Sequence, residues 1–356
     1  MTKMSPPHSE IFEEAIKVTP LTSHTYSAYL SEKWCIGNVP HGGYTTAILY
    51  RLATTHFAQS QQSPYRFNTI LPISLQLTFV RPAYVGAAVL TVQEIKLGAR
   101  TSTIHVTLSQ EARSKGSQKP LPASTQELKV AGYITVSPED ADQAGSVVSG
   151  NWDLHPVPLR GSKSDGAVDF AALTSKGEDG QWTRIPQVPV IAASQHVEIF
   201  SAVPGPSVEA RKNSTVDQWA RFRPGGRTPA RWTNEALMYL VDMFPMALDR
   251  LGAMATSMRS GTEASNERQP RVPDPFWYPT ITLNVDLKKS LLNGGSEWLY
   301  SRVVTKAFRA GRTDLDVAVF DQSGELLALS SQVCMVVGID RNLRNGNDPR
   351  SGKQKL

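Results

Sequence analysis

The chain has 356 residues, of which 40% are hydrophobic and 19% charged, with a formal net charge of +5. That length suits two domains of ordinary size, each with its own core. No apolar run approaches the roughly 18–20 residues of a membrane helix, and the first residues lack the apolar region of a secretory leader.

The charge is uneven. The tail from Arg341 to Leu356 carries five basic residues against the single Asp348, a net +4, which leaves the body near +1. A nucleic-acid binder would carry a basic stripe on a folded face, so the tail reads as a solvated flexible end. Its last residues, Gln354-Lys355-Leu356, share Lys-Leu with the peroxisomal Ser-Lys-Leu signal but depart from it at the first position. A cytoplasmic location is expected, with that peroxisomal address left open. Cys35 and Cys334 are far apart and form no CxxC, which fits a reducing compartment and two small core residues. The Asn213-Ser214-Thr215 sequon is then not expected to be glycosylated.

Residues 1–20 read as a helical lead-in and 22–30 as a strand. A helix begins at His41-Gly42-Gly43-Tyr44 and continues to about Ala58. Residues 70–80 alternate as a strand with Leu75, Leu77 and Phe79 on one face. Two further strands, 87–97 and 101–110, flank the turn Gly98-Ala99-Arg100, and a fourth covers 126–136. From about 138 to 190 the composition turns to Gly, Ser, Asp and Pro, which reads as a linker, since long stretches without elements are uncommon inside a domain. Strands near 195–202 and 218–222 follow, then a helical stretch, a polar insertion (252–275), and strands at 280–287, 297–308, 313–320 and 326–337.

The second series repeats the first. LGARTSTIHVTLSQ ends at Gln110 and RAGRTDLDVAVFDQ at Gln322; each places a Gly-containing turn and Arg-Thr before an alternating strand. Two copies of a central helix followed by antiparallel strands argue for duplicated α+β units. The expected organisation is 1–137, a linker 138–194, 195–340, and the basic tail 341–356.

The helical stretch Thr233 to Leu251 (TNEALMYLVDMFPMALDRL) is apolar nearly all round, which marks a buried helix. Thr233 or Asn234 can cap it, and Glu235 sits in its first turn. Asp242 interrupts the middle of that run, with Met238 and Met246 one turn away, and Pro245 predicts a kink. A buried carboxylate requires partners.

One apolar helix followed by a curved antiparallel sheet, present twice, resembles the double hotdog fold of the acyl-CoA thioesterase II type, including its thioesterase-like fungal relatives. The likeness rests on HGGYTTAILYR (41–51) and residues 75–110 in the first half. In the second it rests on YLVDMFP (239–245), YPTITLNVDLKK (278–289) and LLALSSQVCMVVG (326–338). It implies α+β architecture, an acyl-CoA or carrier-bound acyl thioester as substrate, and a hydrolytic set of Asp, Thr and Gln. Carried over, these fall on Asp242, Thr280 and Gln332, with Thr282 two residues further along the strand as the alternative threonine.

In such a set the Asp accepts a proton from attacking water, while Thr and Gln orient the water without adding charge. Gly42-Gly43 at a helix start would let substrate approach free backbone N–H groups, and His41 and Tyr44 flank that approach. His41 also suits a capping role. Lys288, Lys289, Arg309 and Arg312 are either CoA-phosphate contacts or solvated strand ends. No GxSxG, HExxH, Walker or GxGxxG pattern is present, and no Cys/His cluster has zinc spacing; no metal or cofactor is expected. Two other readings remain at this level. One is a double hotdog dehydratase or cyclase on a polyketide-type thioester, pairing His41 with Asp242. The other is an acyl-ligand binding protein with a degenerate site. Hotdog domains pair helix on helix, which the duplication supplies within one chain, and a homo-oligomer beyond that remains open.

Overall fold

The computed structural model describes residues 10–59, 69–112, 125–139, 154–187, 191–203, 215–226, 229–244, 276–291 and 294–338. Four α-helices are present among them: α1 (Phe12–Ala15), α2 (Gly42–Gln59), α3 (Phe170–Lys176) and α4 (Asn234–Leu240). The longer strands of the first half are β1 (Thr25–Leu30), β2 (Ile70–Phe79), β3 (Gly86–Lys96), β4 (Ser102–Glu111) and β5 (Gln126–Pro138). After them come β6 (Trp182–Arg184), β7 (Val197–Ala202), β8 (Thr215–Phe222), β9 (Thr280–Leu287), β10 (Trp298–Val304), β11 (Arg312–Asp321) and β12 (Leu326–Met335).

These strands form one sheet of 14, completed by the two-residue strands Thr19–Pro20 and Phe308–Arg309. Along the sheet the order is Thr19–Pro20, β1, β3, β4, β5, β2, β9, β12, β11, β10, β8, β7, β6. The two halves meet where β2 pairs antiparallel with β9, Leu77 opposite Leu283 and Leu75 opposite Val285. Outward from that joint the orders β5-β4-β3-β1 and β12-β11-β10-β8 mirror one another. The repeated sequence falls on matching strands, β4 and β11. Its final Gln does not match in role: Gln110 is buried and hydrogen-bonded to Tyr84 and Ala87, whereas Gln322 is exposed.

α2 and α4 pack in the concavity. Twelve of the 18 residues of α2 are buried, as an all-round apolar helix requires. The core joins both helices to the inner faces of β2, β4, β5, β9, β10 and β11. The helices run antiparallel. Gly43 at the start of α2 meets Asp242 just past the end of α4, and Arg51 further along α2 pairs with Glu235 in the first turn of α4 at 3.1 Å.

Two expectations change. The stretch 138–194 contains α3 and β6. Asp169 caps α3 by accepting from the N–H groups of Ala171 and Ala172, and β6 extends the sheet against β7. Leu173 and Trp182 pack on the outer face of the second-half sheet with Phe200, Trp219 and Trp298. This explains why β8 and β10 are buried on both faces while β4 alternates. The second change concerns the Asp242 stretch. Thr233 caps α4 through a bond from the Ala236 N–H, but the regular helix stops at Leu240 and Asp242 lies in the turn beyond. Beyond Val241 the Met243 N–H bonds the Leu240 carbonyl at 2.9 Å instead of the carbonyl a full turn back, and Pro245, with no N–H for the Val241 carbonyl, bars further helix. Residues 245–275, including Met246, lie outside the described residues, as does the tail from 339 onward. Among the described residues no helix is long and apolar enough to cross a membrane.

Candidate active site

The Asp242 side chain is only 8% exposed. Each carboxylate oxygen has a donor. The Gly43 N–H donates to Oδ2 at 2.9 Å, and the Thr280 hydroxyl donates to Oδ1 at 2.8 Å. Gly43 is the second residue of α2, so the carboxylate sits where unpaired N–H groups and the helix dipole both favour negative charge. That is how the fold tolerates a carboxylate in an apolar core.

His41 completes the junction. The Gly43 N–H also points to His41 Nδ1 at 3.1 Å, so Nδ1 accepts and Nε2 carries the proton, donating to the Asp242 carbonyl at 3.1 Å. The carboxylate oxygen Oδ2 lies 3.7 Å from Nε2, too far for a hydrogen bond. Burial holds the His41 pKa below its ordinary value despite the nearby carboxylate, so the ring is neutral and the pair is not an ion pair.

The two glycines are needed for close approach. A Cβ at Gly42 would lie 2.5 Å from Asp242 Oδ2, and one at Gly43 would lie 2.6 Å from the Tyr239 carbonyl oxygen and 2.8 Å from that of Met238. The Gly43 N–H is therefore spent on the protein, not on a substrate. Tyr44 also departs from the sequence expectation. It is fully buried, its hydroxyl donates to the Ala15 carbonyl at 2.8 Å, its ring stacks on Trp34, and it does not line the cavity. Its place one residue further round α2 turns it into the core.

Thr280 is the threonine that reaches Asp242. β9 carries a bulge between Thr280 and Thr282, which breaks the two-residue alternation that would put both on one face. Thr280 pairs with buried Cys334 on the inner face, whereas Thr282 pairs with Val333, which is 38% exposed. Cys334 Sγ lies 3.8 Å from Thr280 Oγ1. Burial, with the Asp242 charge behind it, pushes the Cys334 thiol up to about 12, so it keeps its proton. Because the Thr280 proton goes to Asp242, the thiol is the donor to Thr280. Sequence reading took Cys334 for a core residue only. The sign was there: it lies two residues after Gln332, on the same strand face.

Gln332 is buried on β12, directly opposite Leu283, and its Oε1 has no hydrogen-bond partner among the described residues. Buried polar atoms are nearly always paired. The residue lines a cavity of about 360 Å³ together with Asp242, Thr280, His41 and Gly42. Most of the remaining wall is apolar, including Ile36, Val39, Phe79, Phe244, Trp277, Ile281, Leu315 and Val337. Volume and lining suit a small or medium apolar ligand held by a few polar groups. Of the four basic residues near strand ends, Lys289 is already paired with Glu325.

A two-helix core inside one long antiparallel sheet, with a carboxylate at the helix junction, defines a double hotdog protein. Family models agree. Residues 30–132 match the acyl-CoA thioesterase N-terminal domain and residues 169–336 the C-terminal domain. The chain belongs to this acyl-CoA thioesterase family. It is 31% identical to the thioesterase-like protein TwmA of Talaromyces wortmannii, over 98% of this chain and 97% of that protein. Solved structures share the fold. A hot dog protein of unknown function from Alicyclobacillus acidocaldarius aligns with a TM-score of 0.62 at 16% identity, covering 91% of this chain and 97% of its own. A putative thioesterase II from Thermobifida fusca gives 0.59 at 18% identity, covering 92% and 97%.

Proposed function

We propose that the protein hydrolyses an acyl thioester, acyl-CoA or carrier-bound, with Asp242 as general base. The observation that carries this reading is the orientation of Asp242 at the cavity wall, both oxygens fixed by Gly43 and Thr280, with Gln332 lining the same cavity. The attacking water would sit beside Asp242 in the cavity that Gln332 also lines. Asp242 takes one proton as the water oxygen bonds to the thioester carbonyl carbon; the C–S bond then breaks, and the thiolate leaves to be protonated. Gly42, the first residue of α2, lines the cavity, and its N–H, which has no intrahelical acceptor, would serve as a donor for the oxyanion. No covalent intermediate is needed.

The dehydratase reading needs a free histidine base. Both nitrogens of His41 are engaged in holding the helix junction, which favours hydrolysis. Asp242→Asn should lower turnover of the best substrate in an acyl-CoA panel by about 10²–10⁴-fold while circular dichroism is unchanged. Undiminished hydrolysis in that variant would rule the mechanism out. Tight binding of acyl-CoA by the wild type with no product would instead favour an acyl-ligand binding protein.

A further inference from the structure

We propose that His24, His56 and Glu94 form a binding site for a zinc-class divalent ion. The three residues come from different elements: the turn before β1, the last turns of α2, and β3. Their ligand atoms all lie within 4.8 Å of one another. Glu94 Oε1 is 3.0 Å from His56 Nε2 and 3.9 Å from His24 Nε2. Ligands around a tetrahedral zinc with bonds of about 2.0–2.1 Å stand roughly 3.3 Å apart, so the observed separations bracket that value. His24, with its side chain 49% exposed, closes the set by rotating, and the solvent it faces supplies the fourth ligand.

The surroundings of His56 favour this use. The Tyr26 oxygen lies 2.9 Å from His56 Nδ1 and 3.1 Å from the Ser23 carbonyl oxygen. The Glu94 carboxylate can only accept, so without an ion the His56 Nε2–H donates to it and the Tyr26 hydroxyl donates to Nδ1. When an ion displaces the Nε2 proton, Nδ1 carries the hydrogen instead, Tyr26 accepts it, and the phenolic proton turns to the Ser23 carbonyl. Nδ1–H held by an oxygen acceptor is the support that metal-ligating imidazoles use. His24 Nδ1 has the same kind of partner, Ser23 Oγ at 2.8 Å. Two imidazoles and one carboxylate select zinc-class ions over magnesium or calcium, which prefer all-oxygen shells. The cluster lies roughly 20 Å along α2 from Gly43 at about 1.5 Å per residue, separate from the Asp242 cavity. Binding there would tie the far end of α2 to the edge of the sheet.

The test titrates the full-length, chelator-treated protein with zinc chloride against a competing indicator, and with cobalt(II) to read visible d–d bands. One ion per chain is expected. His24→Ala and Glu94→Gln should each weaken binding at least about 100-fold, and Tyr26→Phe by about 10–100-fold as loss of the supporting hydrogen bond. The proposal is overturned by wild-type protein with no saturable one-to-one zinc binding, by a His24→Ala/Glu94→Gln double variant that binds as tightly, or by magnesium competing on equal terms.

Discussion

Gly42 shows how much one missing side chain decides. The space its Cβ would fill is occupied by Asp242 Oδ2, so any substitution moves the carboxylate or is itself pushed away. Displacements near 1 Å at a reacting group cost about 10²-fold in rate. Gly42→Ala is therefore expected to lower kcat/KM for thioester hydrolysis by about 10²-fold, measured alongside thermal unfolding to show that the fold survives. An Asp242→Asn protein with Gly42→Ala added should lose little more, since both changes act on one group. Strong additivity in that pair would place Gly42 elsewhere in the chemistry. The sequence marked Gly42-Gly43 as a place of close approach, but what approaches is the other half of the protein.

At the level of elements, the junction of α2 with α4 is set by backbone. The Met238 and Tyr239 carbonyl oxygens lie where a Gly43 side chain would be, so Gly43→Ala forces the helices apart. Overpacking of this kind costs about 1–3 kcal/mol, and urea unfolding is expected to show a loss of that size. An unchanged midpoint would mean that the junction yields more easily than its distances suggest. The bulge in β9 works at the same scale. Because of it, Thr280 and not Thr282 faces inward, and strict two-residue alternation could not have revealed this. The start of α2 and the approximate places of the main strands along the chain were legible because apolar spacing carries them, whereas their order in the sheet was not. The end of α4 at Leu240 was not, because the apolar pattern runs on past the residue where regular hydrogen bonding stops.

Across the molecule, three buried histidines set the acid limit of stability. Burial holds His41, His56 and His196 below the ordinary histidine value, His196 at about 4 against 6.5. His196 stacks on Trp34, accepts from the Gly225 N–H through Nδ1 at 2.8 Å and donates from Nε2 to the Lys33 carbonyl at 2.7 Å. A second proton would break the Gly225 bond. A group whose folded value is depressed stabilises fully above its unfolded value and loses that stability as pH falls through the folded value. Unfolding free energy is thus expected to drop between pH 6.5 and 4, by about 3 kcal/mol from His196 alone at about 1.4 kcal/mol per unit. Urea denaturation at pH 7.0, 5.5 and 4.5 measures it; a flat profile would contradict the neutral assignment. These rings pack against Tyr239, Phe57 and Trp34 of the core that both halves share, so the loss is expected to appear in one cooperative transition.

The sequence alone determined the duplicated helix-and-sheet pattern, the family likeness, and the residue types at Asp242, Thr280 and Gln332, because periodicity and local motif are written in neighbouring residues. The tertiary structure decided what those residues do to one another. It placed the start of α2 against Asp242, gave Thr280 its inward face, left Gln332 Oε1 without a partner, and engaged both nitrogens of His41. The contacts to Asp242 join residues between 38 and 201 positions apart, and the inward face of Thr280 depends on a bulge. Such pairings follow from how the sheet and helices close on one core, which spacing along the chain does not encode.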